Sequence, residues 1–153
     1  MTNLTQILWS ANPFIQIIAA IITTISFGVL FNIKNKNLIL TGIAGGISWA
    51  VYLLGLNLKF SDGLNYFIAT LSLAIFAEIM SKKFITPATT ILIPALIPLA
   101  PGGGIYYTMY NLINKNYPLA LEHGISTFII AGSMAVGVFT ASSIIKIYDN
   151  IKK

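Results

Sequence analysis

The sequence predicts an all-α integral membrane protein of about five transmembrane helices, on three observations. Hydrophobic residues make up 56% of the 153 positions and charged residues only 8%, whereas soluble domains carry about 25% charged residues. A chain this short has too little interior to hide that much apolar surface from water. Its apolar residues also fall into runs of roughly 20, the length of one helical bilayer crossing, without the period-two alternation of a β-barrel. Backbone in hydrocarbon must satisfy its own hydrogen bonds, so the runs are expected to be helices. The lipid bilayer is the expected solvent, and residues 1–153 form a single transmembrane domain with no room for a soluble one.

The first span is predicted over 13–33. Pro13 suits the first helical turn, where its missing N–H costs nothing, and Asn12 is a fitting N-cap. No basic stretch occurs in Met1 to Gln6 and no small-residue cleavage site follows, so this run reads as a retained span and not a signal peptide. It stops at Lys34, Asn35, Lys36 and Asn37. The second span covers 38–56 and ends in the polar patch Asn57 to Asp62. The third covers 63–80 and stops at Lys82 and Lys83. The fourth, 88–113, is interrupted by Pro94, Pro98, Pro101 and the glycines Gly102, Gly103 and Gly104. The fifth covers 121–147, followed by a charged tail.

Lysines alternate between the two sets of connections. Lys34, Lys36, Lys82, Lys83, Lys146, Lys152 and Lys153 fall on one side, Lys59 and Lys115 on the other. Lysine-rich segments stay in the cytoplasm, which places the N-terminus outside and the C-terminus inside. The net charge of +5 comes from lysines at span edges, not from a basic face with interleaved aromatics, so no nucleic acid is expected as a partner. Zero cysteines exclude a disulfide framework and a thiolate nucleophile. With one histidine and four carboxylates, neither a nucleophile–base pair nor a metal-ligand spacing is visible. No enzyme activity, cofactor or metal is expected.

The fourth span carries the strongest functional signal. Internal prolines remove backbone donors and clash with the preceding turn, and each glycine weakens a helix by about 1 kcal/mol relative to alanine. So many breakers predict an unwound segment at membrane depth, which is tolerated only where it is buried in protein or lines a watery cavity. A half-helix beginning near Gly102 to Gly104 would then present free N–H groups and the positive end of its dipole to an anionic solute, as in many transporters. A proline kink that merely shapes packing is the bland alternative. Tyr106 and Tyr107 follow directly and either reach the ligand or pack.

Glu78 is the carboxylate inside an apolar run, where ionisable groups are costly and usually functional. Its i,i+4 spacing to Lys82 equally suits a helix-surface ion pair. Glu122 and His123 read as an interfacial cap, with pH sensing at His123 the lesser reading. Gly42, Gly46 and Ala50, and Ser133, Gly137 and Ala141, recur every four residues and predict close helix packing. Trp9, Trp49, Tyr52, Tyr66, Tyr110 and Tyr117 read mostly as interfacial aromatics.

The string Pro94 … Pro98-Leu-Ala-Pro101-Gly102 … Tyr106 resembles the Pro-x-x-Pro-Gly … Tyr stretch of the threonine/serine exporter family. The order of landmarks is similar to that family's short subunit of the split type, represented by YjjB: Phe31-Asn32 closing span one, Gly55-Leu-Asn57 closing span two, Ser81-Lys82 closing span three, Pro87 opening span four, and a last span rich in glycine and serine. The resemblance covers nearly the whole chain. Members tend to carry arginine where this chain has Lys82, and lysine cannot form the bidentate carboxylate pair that arginine does. The resemblance implies a bacterial cytoplasmic-membrane exporter of small carboxylate-bearing metabolites, either threonine and serine or a dicarboxylate such as succinate. It also implies a hetero-oligomer with a YjjP-like five-span subunit. An odd number of spans cannot divide into two inverted halves within one chain, which gives a physical reason for such a partner. On this reading Pro98, Pro101, Gly102, Gly103, Gly104, Tyr106 and Tyr107 bind the solute, and Glu78 with Lys82 supplies a coupling proton or an ion pair. A homo-oligomeric channel with a Gly-rich pore segment is the alternative.

Overall fold

The computed structural model describes residues 12–151; Met1 to Gln6, Trp9, Lys152 and Lys153, used in the reading above, lie outside that range. The described residues form helices α1 (Pro13–Leu30), α2 (Asn35–Asn57), α3 (Asp62–Phe84), α4 (Ala88–Leu96), a 3₁₀ turn (Ile97–Leu99), α5 (Gly102–Ile113) and α6 (Tyr117–Ile151). Four of them, α1, α2, α3 and α6, are each long and apolar enough to cross a bilayer, and α4 with α5 forms a further pair bent by 52°. The chain is an all-α membrane protein.

Local chemistry sets the helix ends. Pro13 opens α1, and the Phe14 N–H donates to Asn12 Oδ1 at 3.2 Å. The first span was expected to run to residue 33, but α1 stops at Leu30. Asn32 turns left-handed at φ 59°, its N–H donates to the Val29 carbonyl at 2.9 Å, and the Ile33 N–H reaches back to the Gly28 carbonyl at 2.9 Å. That pair of bonds is the Schellman ending. Lys59 and Lys115 close α2 and α5 in the same way, with Phe60 N–H to the Gly55 carbonyl and Asn116 N–H to the Asn111 carbonyl. Ile85 takes the left-handed position after α3 at φ 51°, a costly conformation for a β-branched residue. None of the described glycines has positive φ.

The glycines are spent instead on helix contacts. With lipid tails as apolar as leucine, helices associate through close packing of small residues. A Cβ on Gly45 would collide with the Thr24 hydroxyl, one on Gly55 with Asn65 Oδ1, one on Gly104 with the Thr127 hydroxyl and one on Gly137 with the Thr70 hydroxyl. Three of these hydroxyls already donate to carbonyls one turn back in their own helices: Thr24 to Ala20 at 2.8 Å, Thr70 to Tyr66 at 2.7 Å and Thr127 to His123 at 2.6 Å. With the proton satisfied locally, the oxygen lone pairs face the glycine Cα–H groups, a weak contact that recurs at helix interfaces. Gly42 and Gly46 likewise meet Ile25 and Ile21 of α1, so the four-residue stripe on α2 is a packing face.

Helix α4 lies along the seam of α2 and α3, where Ala44, Leu73, Ala77, Ile91 and Ala95 form one buried cluster. Helices α3 and α6 run parallel. Gly63 approaches Ser133 and Ile129, Gly137 approaches Thr70, Ser142 bonds Glu78, and Lys82 pairs with Asp149. Since both helices finish at the same end, residues 85–116 must return across the full length of the bundle. The bent pair is therefore one broken crossing, not a re-entrant loop. Helix α6, at 35 residues about 52 Å long by helix rise, overshoots the predicted 121–147 at both ends and exceeds a hydrocarbon core of about 30 Å.

Candidate functional site

The break in the fourth crossing is shorter than the sequence suggested. Pro94 lies inside α4 without ending it, and the helix tightens into the 3₁₀ turn at Ile97–Leu99. Only Ala100 and Pro101 leave helical structure. Pro101, at φ −77° and ψ 52°, makes an inverse γ-turn that the Gly102 N–H closes onto the Ala100 carbonyl at 2.7 Å. The unwound stretch therefore comes from the prolines, and the expectation that the glycines loosen the backbone is corrected. Gly102, Gly103 and Gly104 form the first turn of α5, where glycine's weak helix propensity matters least because first-turn amides have no intrahelical acceptor.

That first turn is uncapped. Pro101 supplies no side-chain acceptor, and the Ile105 N–H takes the Pro101 carbonyl at 3.2 Å. The amides of Gly103 and Gly104 meet no acceptor among the described residues. Nothing stands within 4 Å of where a side chain on Gly102 or Gly103 would begin, so the head of α5 is open on that side, while Gly104 is covered by Thr127.

Helix α5 packs extensively against α6 alone. Gly104 fits under Thr127, Gly124 faces Thr108, and the Tyr107 ring stacks on His123 at 5.6 Å. His123 is thus half-buried between α5 and α6, while Glu122 borders a groove with Asp62 and Ser126. The outer faces of α5 are bare. Tyr106 is 62% exposed and Tyr107 48%, and the Tyr106 ring stacks on Tyr110 at 6.2 Å. Pro98 sits within the 3₁₀ turn, whose Leu99 is buried against Tyr52, Ala69 and Met134.

Glu78 and Lys82 do not join this group. They occupy the last two turns of α3, at the end of the bundle away from α5, because α3 and α6 run parallel and α5 pairs with the opposite end of α6. The expected Glu78–Lys82 pair is also corrected. Glu78 Oε1 accepts a hydrogen bond from Ser142 Oγ at 3.0 Å, and Lys82 is salt-bridged to Asp149. Both side chains have a partner on α6 that crosses a helix interface, which i,i+4 spacing within α3 cannot reveal. Among the described residues no three histidine or acidic side chains converge to hold a metal ion.

Trp49, Tyr52 and Tyr66, expected among the interfacial aromatics, lie toward the end of α2 and the start of α3. They form a continuous aromatic ladder between α2 and α3, with centroids 5.2 Å apart for Trp49–Tyr52 and 4.9 Å for Tyr52–Tyr66. Tyr52 is only 6% exposed. Asn65, overlooked in the apolar run, is 1% exposed beside them. Its presence inside a predicted span was the signal that could have singled it out.

A family model described as "Threonine/Serine exporter, ThrE" matches residues 16–144. No curated protein matches, and no solved structure does.

Proposed function

Because this chain belongs to the threonine/serine exporter family, we propose that it is a membrane subunit of a secondary exporter for small carboxylate-bearing metabolites, threonine and serine or a dicarboxylate such as succinate. It works in the bacterial cytoplasmic membrane with its N-terminus outside. The observation that carries this reading is the broken fourth crossing with the free Gly103 and Gly104 amides at the head of α5. Helix termini formed at a break in a crossing are a recurring way to hold a solute carboxylate within a membrane, and Tyr106 and Tyr107 supply hydroxyls nearby.

A larger YjjP-like partner with five spans completes the transporter. The support is physical: α5 leans on one helix only, its amide-bearing end lies open, and five crossings do not form inverted halves alone. The lysine-rich end, where Lys34, Lys36, Lys82, Lys83 and Lys146 gather, faces the cytoplasm. Glu78, bonded to Ser142 near that end, is the candidate carrier of a coupling proton.

Efflux from preloaded cells tests the reading. Cells expressing this chain with its partner should release threonine, serine or succinate faster than cells lacking either. Equal release of all three solutes with and without the genes would count against an exporter, and unsaturable conductance of a purified homo-oligomer would replace it with a channel.

A further inference from the structure

Between α3 and α6 an open trench runs down from the lysine-poor end of the bundle. Its head, about 510 Å³, is lined by Ser61, Asp62, Glu122 and Ser126. Below it a second stretch of about 640 Å³ continues past Gly132 to Val136, and Gly63 and Ile129 line both. The exposed Ile129 and Val136 make this lower part apolar. Gly132 keeps its floor low, with nothing within 4 Å of where a side chain there would begin. Asp62 and Glu122 have no salt-bridge partner among the described residues; the salt bridge found among them joins Lys82 to Asp149 at the opposite end. Lys59 and Lys115, the cations of the trench end, therefore pair with neither carboxylate.

The trench has the length of one leaflet. Val136 lies 14 residues beyond Glu122 in α6, about 21 Å at the helical rise, and half of a bilayer with its headgroups is about 20–22 Å. Asp149 lies 27 residues beyond Glu122, about 40 Å, close to the full thickness with headgroups. The carboxylates at the trench head thus stand at headgroup level. A negatively charged head above an apolar groove of this length is complementary to one amphiphile with a cationic head. We propose that the trench seats one phospholipid with a primary-ammonium headgroup, of the ethanolamine type, from the leaflet on the lysine-poor side. Its ammonium lies between Asp62 and Glu122, which accept its N–H groups in charge-assisted bonds, and the Ser61 and Ser126 hydroxyls are further acceptors. One acyl chain follows Gly63, Ile129 and Gly132. A choline head has no N–H to donate, and a glycerol head leaves the lipid's phosphate charge uncompensated beside two carboxylates. A small free solute would leave the apolar length unused. The seat does not depend on the exporter reading.

Native mass spectrometry of the full chain, purified in detergent and titrated with defined lipids, tests the seat. Phosphatidylethanolamine should be retained as one molecule per chain, at concentrations about tenfold below those that phosphatidylglycerol or phosphatidylcholine needs. Asp62→Asn combined with Glu122→Gln should erase that preference. Gly132→Leu, which fills the trench floor, should weaken retention of all three lipids. Both variants should melt with the parent chain in lipid-free detergent, and phosphatidylethanolamine should raise the melting temperature of the parent but not of Gly132→Leu. Equal retention of the three lipids by the parent, or a preference that survives the double substitution, overturns the headgroup site. Release of the bound lipid when the partner subunit joins would make the trench a subunit seat and overturn the lipid as its occupant.

Discussion

Gly137→Ala gives the sharpest test of how the helices are held. The added Cβ would meet the Thr70 hydroxyl and lie 2.8 Å from the Phe67 carbonyl oxygen and 3.3 Å from the Leu71 nitrogen. Thr70 can rotate away, but the backbone of α3 cannot. Ordinary contact begins at 3.4 Å, so α3 and α6 must part by about 0.6 Å at their shared face, and overpacking of this kind costs about 1–3 kcal/mol. Gly132→Ala on the same helix is the internal control, because nothing lies within 4 Å of its Cβ. Both variants gain the same helix propensity, which cancels between them. The gap in unfolding free energy should therefore be the strain itself, about 1–3 kcal/mol or roughly 5- to 150-fold in the unfolding equilibrium. Reversible unfolding in mixed micelles, followed by helical circular dichroism, measures it. Adding Thr70→Ala to Gly137→Ala should recover only part of the loss, since the Phe67 carbonyl remains. Equal stability of the two alanine variants would refute the packing account.

Other expectations follow from single features. A double-mutant cycle on Lys82→Ala and Asp149→Ala should give a coupling of about 0.2–1 kcal/mol that fades in high salt, since both side chains are close to half exposed; the cycle on Glu78→Gln and Lys82→Ala should give close to none. Ile85→Gly should stabilise the chain by about 1 kcal/mol in the same assay, because Ile85 is 95% exposed and held in a left-handed conformation. In this cysteine-free chain, Gly103→Cys should react with thiol reagents while Leu99→Cys stays protected, and the reverse order would displace the open end of α5 from the proposed site. Pro98→Ala with Pro101→Ala should straighten the fourth crossing, read as a longer distance between spin labels at 88 and 113, and should abolish efflux.

Much of the fold was legible because a bilayer imposes one length and one backbone solution, so runs ending at Lys34, Asn57 and Lys82 could be read directly. Proline was legible for a similar reason: its ring clash and missing N–H act locally, and the break falls at Ala100 and Pro101, just after the 3₁₀ turn that holds Pro98. Glycine misled. Its effect depends on what lies opposite, and Gly104 turned out to be a contact under Thr127 inside a regular helix. Helix ends at Asn32, Lys59 and Lys115 were obscure because the usual glycine signal is absent there. The partners of Glu78 and Lys82, and the burial of Tyr52 and Asn65, depend on which helix faces which. A single sequence gives no access to that.

The unbroken 35-residue α6 has a mechanical consequence. It is grasped at one end by the Asp149–Lys82 clasp and carries α5 at the other, so it is a lever whose fulcrum is the glycine-lined face against α3. A tilt of α6 about that face would carry α5 with it, because α5 packs extensively on no other helix, and would move the Lys82–Asp149 end the opposite way.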